Sequence, residues 1–196
     1  WGEWMVSHDD GKTWTRRRRL PGGGIGPVKN KPIQRADGSI WCGSSTEDAK
    51  TGWQVHLEVT RDQGRTWSRI GPLNDGNRIG AIQPSLLTHS GGRLQFLCRN
   101  RDGRGDLWQC WSEDGGKTWS RLEASGLPNP NAGTDAVTLR DGRQLLVYNH
   151  TNRGGGFPNG RQMFNVAISR DGHGWSAALV LERDKGEFSY PAVIQA

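Results

Sequence analysis

Apolar residues occur along this chain in short runs that alternate with polar ones and are broken every few residues by Gly, Asp or Pro. Residues 53–60 show the pattern, with Trp53, Val55, Leu57 and Val59 separated by single polar residues. Alternation of this kind predicts a strand with one buried face. The first full period reads as strand 32–35, a tight turn at Asp37-Gly38, strand 39–44, a loop, strand 53–60, an Asp-containing turn and strand 66–70. Gly91-Gly92 and Asp141-Gly142 mark the corresponding hairpin turns further along. No segment sustains a helical period, and no apolar run approaches the roughly 18 residues of a membrane-spanning helix.

An internal repeat organises these strands. Ser7-His8-Asp9-Asp10-Gly11-Lys12-Thr13-Trp14 returns as Thr60-Arg61-Asp62-Gln63-Gly64-Arg65-Thr66-Trp67 and again as Ser112-Glu113-Asp114-Gly115-Gly116-Lys117-Thr118-Trp119. A shortened copy is Ser169-Arg170-Asp171-Gly172-His173-Gly174-Trp175, and the Trp spacings are 53, 52 and 56 residues. The chemistry is that of a hairpin turn: Asp accepts from turn amides, Gly takes a positive φ, and Trp anchors between layers. These boxes read as structural. Four antiparallel strands per period of about 52 residues are the blades of an all-β propeller, a fold that closes with about four to eight of them. The expected division is 1–20 for the end of one blade, 21–72, 73–124 and 125–182 for three blades, and 183–196 for the start of another. Starting inside a patterned segment and ending in an apolar one, the chain reads as an incomplete propeller from a longer protein. Its compartment is left open, with secretion or a periplasmic location compatible.

Composition follows from the repeat. The 29 Gly and 10 Trp among 196 residues are largely turn glycines and box anchors. Disordered chains are poor in aromatics, so these rings must be buried by something regular. The net charge of +6 suits an anionic partner. Its one basic run, Arg16 to Arg19, reads as a solvated loop or strand edge and not as a nucleic-acid site. Three cysteines without a CxxC spacing exclude a disulfide framework and a zinc ribbon, and predict small buried thiols. Metal ligands are not clustered and no cofactor motif is present, so neither metal nor cofactor is expected. Residues 153–156 read as a flexible Gly loop, not a phosphate loop. Asn149-His150-Thr151 is a glycosylation sequon, meaningful only in a secreted eukaryotic protein.

Counting from each box Trp, Lys31, Gln83, Asp135 and Tyr190 fall 17, 16, 16 and 15 residues on. Three of the four precede a proline, which favours extended backbone at the entrance to a strand. The four side chains are therefore expected at one equivalent position on successive innermost strands, lining the mouth of a central channel. Structural positions in repeats tend to repeat; four different polar residues suggest a site.

The boxes resemble the Asp-boxes, or BNR repeats, of the sialidases, six-bladed propellers that cleave terminal sialic acid. The resemblance covers nearly the whole chain and implies roles for particular residues. Tyr190 stands where that family has its Tyr nucleophile. Gln83 stands where a Glu activates that Tyr. Arg99, sixteen residues after Gln83, and Arg161, eight before Ser169, stand where arginines bind the substrate carboxylate. Arg holds a carboxylate with paired charge-assisted hydrogen bonds. Gln83 is the departure, because an amide cannot accept a proton as a carboxylate can, and losing a general base costs about 10²–10⁴-fold in rate. Glu187 and Asp135 are the candidates to replace it. Lys31, Asp135 and Asn149 (with His150) complete the expected contacts to an acidic glycan. An early Arg and an Asp acid/base of the family belong to blades upstream of this chain, so the piece alone is expected to be inactive. The resemblance thus implies an exo-glycosidase acting on a terminal acidic sugar. Three other readings stay open: a silent sugar-binding propeller, a glycosidase for another acidic glycan, and a scaffold in which Tyr190, Arg99 and Arg161 do not converge.

Overall fold

The structure, a computed structural model, describes residues 1–103, 105–153 and 160–196. The glycines at 154–156 of the expected Gly loop lie outside the described residues. Among the described residues, all regular structure is β apart from two 3₁₀ turns at Pro21–Gly23 and Ser90–Gly92.

A two-stranded sheet pairs β1 (Glu3–Trp4) with β2 (Arg18–Arg19). Three four-stranded antiparallel meanders follow, each with its strands in chain order. The first contains β3 (Ile33–Gln34), β4 (Ile40–Asp48), β5 (Gly52–Thr60) and β6 (Ser68–Ile70). The second contains β7 (Ala81–Thr88), β8 (Leu94–Asn100), β9 (Asp106–Ser112) and β10 (Glu123–Pro128). The third contains β11 (Asp135–Thr138), β12 (Gln144–Asn149), β13 (Phe164–Ser169) and β14 (Trp175–Glu182). These are propeller blades, and the all-β expectation holds. Within the first blade the predicted inner hairpin is redistributed: β3 keeps only two residues, while β4 runs on to Asp48 because it pairs with β5 all the way to Gly52. The expected turns form with positive φ at Gly38, Gly91, Gly92 and Gly142.

Two apolar cores lie between successive blades. Trp41, Val55, Leu57 and Val59 meet Ala81, Leu86, Leu94 and Phe96 in one. Leu87, Leu97 and Leu107 meet Ala136, Leu146 and Ala167 in the other. Cys42, Cys98 and Cys110 are buried and unbridged, as read from their spacing. Burial pushes the Cys42 and Cys110 thiols up to about 12.

The boxes close the third hairpin of a blade, and their hydrogen bonds repeat almost atom for atom. The Gly11, Gly64, Gly116 and Gly172 amides donate to Ser7, Thr60, Ser112 and Ser169 at 2.7–2.8 Å. In the three full boxes the Thr hydroxyl donates to Asp Oδ2 at 2.6 Å and the Thr amide to Asp Oδ1. Each box Trp donates Nε1 to the glycine carbonyl at 3.1–3.3 Å. The glycine also seats a ring from the preceding sheet. A Cβ on Gly64 would lie 2.9 Å from Trp4, one on Gly116 would fall inside the Trp41 ring envelope, and one on Gly172 would lie 2.6 Å from Trp111.

Two outcomes follow for stability. Gly116→Ala should lower the unfolding free energy by about 2–4 kcal/mol, since it combines a ring clash with a left-handed backbone at φ 94; denaturant titration measures this. Acid should destabilise the boxes. The Thr13 and Thr66 hydroxyls, followed by the same residues' amides, hold Asp9 and Asp62 down at about 2, and Thr118 depresses Asp114 as well. A depressed carboxyl contributes stability above its unfolded value of about 4 and loses it as pH falls from there toward 2. The melting temperature should therefore drop between pH 4 and 2, with a shallower drop in Asp114→Asn.

Candidate functional site

The meander puts the box turns at one end of the blades and the β4–β5, β8–β9 and β12–β13 connections at the other. At this second end Arg99 lies one residue before the end of β8 and Gln83 sits near the start of β7. Gln83 is in a bulge, where the β7–β8 register shifts between Ile82 and Ser85. Its backbone is pinned on both sides: its amide donates to Ser45 Oγ at 3.1 Å, and its carbonyl accepts from Asn30 Nδ2 at 2.8 Å. Here the expectation of extended backbone before proline is corrected. Gln83 has φ 54 and Tyr190 has φ 59, left-handed values that persist only where surroundings impose them. The bulge turns the Gln83 side chain toward Arg99 instead of leaving it in the ladder.

Three of the expected residues converge. Arg99, 7% exposed, donates Nη1 to the Tyr190 phenol oxygen at 2.5 Å and to Gln83 Oε1 at 3.1 Å. Its guanidinium also lies 5.5 Å from the Tyr190 ring centre and 5.7 Å from that of Trp53. Arg161 reaches the same neighbourhood through Asn131. Arg99 Nε donates to Asn131 Oδ1 at 2.7 Å, and Arg161 Nη2 donates to the Asn131 carbonyl at 2.7 Å. Arg161 Nη1 pairs with Glu187 at 2.5 Å, holding a half-exposed carboxylate close to the Tyr190 segment in sequence.

The remaining expected residues are used differently. Lys31, just before β3, and Asp135, on β11, meet each other between the first and third blades at 2.9 Å. Asp135 also accepts from the Ala136 and Val193 amides, so both of its buried oxygens are engaged. Lys31 and Asp135, expected at the channel mouth, form an ion pair with each other, because the inner strands of the first and third blades approach closely enough for the two charges to pair. Asn149 is fully buried and donates to the Met163 and Phe188 carbonyls. It lies beneath the site, not on its surface, and burial withdraws its sequon. His150 contacts the Tyr148 hydroxyl.

Sequence reasoning passed over Asn131, Gly133 and Trp53. A Cβ on Gly133 would lie 3.0 Å from Tyr190 Cδ1 and 3.3 Å from Gln83 Oε1, so a side chain here would press the phenol ring aside by a few tenths of an ångström. The run Pro128-Asn129-Pro130-Asn131 carried turn chemistry, and Asn131, at φ 58, is among the residue types that tolerate a left-handed conformation. Nothing in that run pointed to an arginine. Among the described residues no group of His, Cys, Asp or Glu could hold a metal ion.

Meander blades keyed by Asp-containing boxes, with a basic and phenolic cluster at the opposite end, define a β-propeller built of box-bearing repeats. The model of the BNR repeat-like domain matches residues 1–196, and the chain belongs to that family. Among solved structures it superposes on a Dyadobacter fermentans protein of unknown function at TM-score 0.76 and 22% identity, covering 96% of this chain and 54% of that one. The NanB sialidase from Streptococcus pneumoniae gives 0.72 and 16%, covering 97% and 30%. The intramolecular trans-sialidase from Ruminococcus gnavus gives 0.59 and 18%, covering 94% and 41%. At these identities the likeness is one of fold. A curated relative, the vacuolar protein sorting/targeting protein PEP1 of Saccharomyces cerevisiae, is 24% identical over 160 residues, which is 69% of this chain and 9% of PEP1. The chain therefore spans a small part of that relative and about half or less of these structures.

Gly133→Ala tests the packing of the cluster. The added methyl should displace the Tyr190 ring by a few tenths of an ångström relative to Arg99 while the blades stay folded, and a crystal structure of the variant showing an unmoved Tyr190 would contradict it.

Proposed function

We propose that the protein containing these blades binds a terminal acidic sugar, sialic acid in the first instance, and hydrolyses its glycosidic bond. The observation that carries this reading is the Arg99 guanidinium bonded to the Tyr190 phenol oxygen beside Gln83. Arg99 and Arg161 would take the sugar carboxylate as charge-assisted, bidentate donors. Tyr190 would attack the anomeric carbon as the leaving oxygen departs with a proton from the Asp acid/base expected on the upstream blades, forming a glycosyl-tyrosine that water, deprotonated by the same Asp, then cleaves. A neutral phenol avoids the repulsion that a carboxylate nucleophile would meet from the substrate's own carboxylate. This sets the site apart from the two-carboxylate scheme of most glycosidases.

The phenol must lose a proton on attack, and Gln83 cannot take it. Asp135 is saturated by Lys31 and two amides. Glu187, held by Arg161 and half exposed, is the remaining candidate carboxylate of this chain for the proton. Gln83 itself favours a second reading, in which the same cluster binds the sugar without cleaving it.

A fluorogenic sialoside assayed with the full-length protein separates the two. Hydrolysis predicts turnover that Tyr190→Phe removes and that Gln83→Glu raises by about 10²–10⁴-fold. Arg99→Ala should weaken carboxylate binding by more than about tenfold in either case. Binding of N-acetylneuraminic acid without turnover in wild type supports the silent reading. Absence of both binding and turnover defeats both.

A further inference from the structure

The segment that carries Tyr190 has no regular secondary structure from residue 183 onward. Its left-handed Tyr190 must therefore be held by particular contacts, not by a ladder. Upstream, the Phe188 amide donates to the Arg161 carbonyl at 2.8 Å, and Asn149 Nδ2 donates to the Phe188 carbonyl at 2.8 Å. Downstream, the Val193 amide donates to Asp135 Oδ2 at 2.8 Å. Between these, one residue past the phenol, the Pro191 carbonyl accepts from Lys29 Nζ at 2.7 Å.

That ammonium makes a second bond, to the Thr134 carbonyl at 2.6 Å. Thr134 directly follows Gly133, the glycine against which the Tyr190 ring is packed. A single cation thus grips the chain just after the phenol and just after the wall the phenol rests on. Lys29 comes from the loop before β3, in another blade, and itself holds φ 69. The Glu58 carboxylate orders this loop by accepting the Ile25 and Gly26 amides at 2.9 and 2.7 Å.

We propose that Lys29 is the positioning residue of Tyr190: by holding the Thr134 and Pro191 carbonyls on one ammonium, it sets the phenol against Gly133, Gln83 and Arg99. The consequence for catalysis rests on the glycosidase reading; the positioning does not. The charged groups facing the ammonium are Asp135 on β11 and Lys31 on its own loop. Burial pushes Lys29 down to about 8, with the Asp135 carboxylate opposing and the Lys31 charge adding to the fall. Above that pH the amine keeps hydrogens to donate but loses the charge that strengthens both bonds. The grip on Tyr190 should loosen as pH rises through 8.

The test is tyrosine ¹³C NMR on the full-length protein, with the Tyr190 signal assigned by its loss in Tyr190→Phe. In wild type the signal should step with a midpoint near pH 8. In Lys29→Met it should be displaced already at pH 6.5 and show no such step. In Lys29→Arg, which stays charged, it should keep the wild-type position and lack the step. A Tyr190 signal at the wild-type position in Lys29→Met, or a step that survives there, overturns the proposal. The wild-type titration and the Arg variant decide the matter if Lys29→Met fails to fold, since a flat wild-type signal near pH 8 also overturns it. Where wild type turns over the sialoside, Lys29→Met should lower kcat at pH 6.5 by about tenfold or more with KM within about threefold, and Lys29→Arg should restore it. A wild type without turnover counts against the hydrolase reading and leaves the NMR result to judge Lys29.

Discussion

Each sheet is keyed to the next by an aromatic ring seated on the bare backbone of a box glycine. Trp4 sits on Gly64, Trp41 on Gly116 and Trp111 on Gly172. The seat exists because the glycine has no Cβ and holds a positive φ that other residues reach only with strain. The Asp carboxylate of the same box accepts backbone amides of the turn: Thr66 for Asp62, Thr118 for Asp114, and His173 and Gly174 for Asp171. Turn geometry and blade-to-blade packing are thus one feature. The apolar cores between blades add burial, but burial is non-directional; the ring and its seat set how one blade is turned against its neighbour.

That orientation is what assembles the site. Gln83 and Arg99 belong to the second blade, Asn131 to the connection after it, Arg161 to the third blade, Lys29 to the first, and Tyr190 to the segment beyond the third. No two of these blades share a hydrogen-bonded ladder. What joins them at the channel is polar and largely buried: Asn30 on the Gln83 carbonyl, Ser85 on the Ala136 amide, Lys31 on Asp135, and Lys29 on Thr134 and Pro191. A buried charge pair is tolerable only when its remaining lone pairs and protons are satisfied. Asp135 meets that condition with two backbone amides.

Part of the site was legible in the sequence. Nearly equal offsets from the box Trp brought out Gln83 and Tyr190, and the resemblance to the sialidases brought out Arg99, sixteen residues after Gln83; Arg99 touches both. The same arithmetic selected Lys31 and Asp135, which share the position but neutralise each other. An offset assigns a residue to a place on its own blade and says nothing of which residue faces it across the channel. Asn131, Gly133 and Lys29 were not legible because they sit in connections, where the repeat has no register. The backbone before Pro84 and Pro191 was misread for a related reason. The local preference for extended backbone is small enough to be overridden by a bulge and by cross-blade hydrogen bonds.

The sequence by itself determined the strands, the hairpin turns, the boxes and hence the all-β blades, since each depends on residues within about ten positions of one another. Only the tertiary structure decided which polar side chains pair across the channel, which are buried beneath the site, and how Tyr190 is held. Those outcomes depend on contacts between residues as far apart as Lys29 and Pro191. Their distance is set by how Trp41 seats on Gly116 and Trp111 on Gly172 in the blades between them.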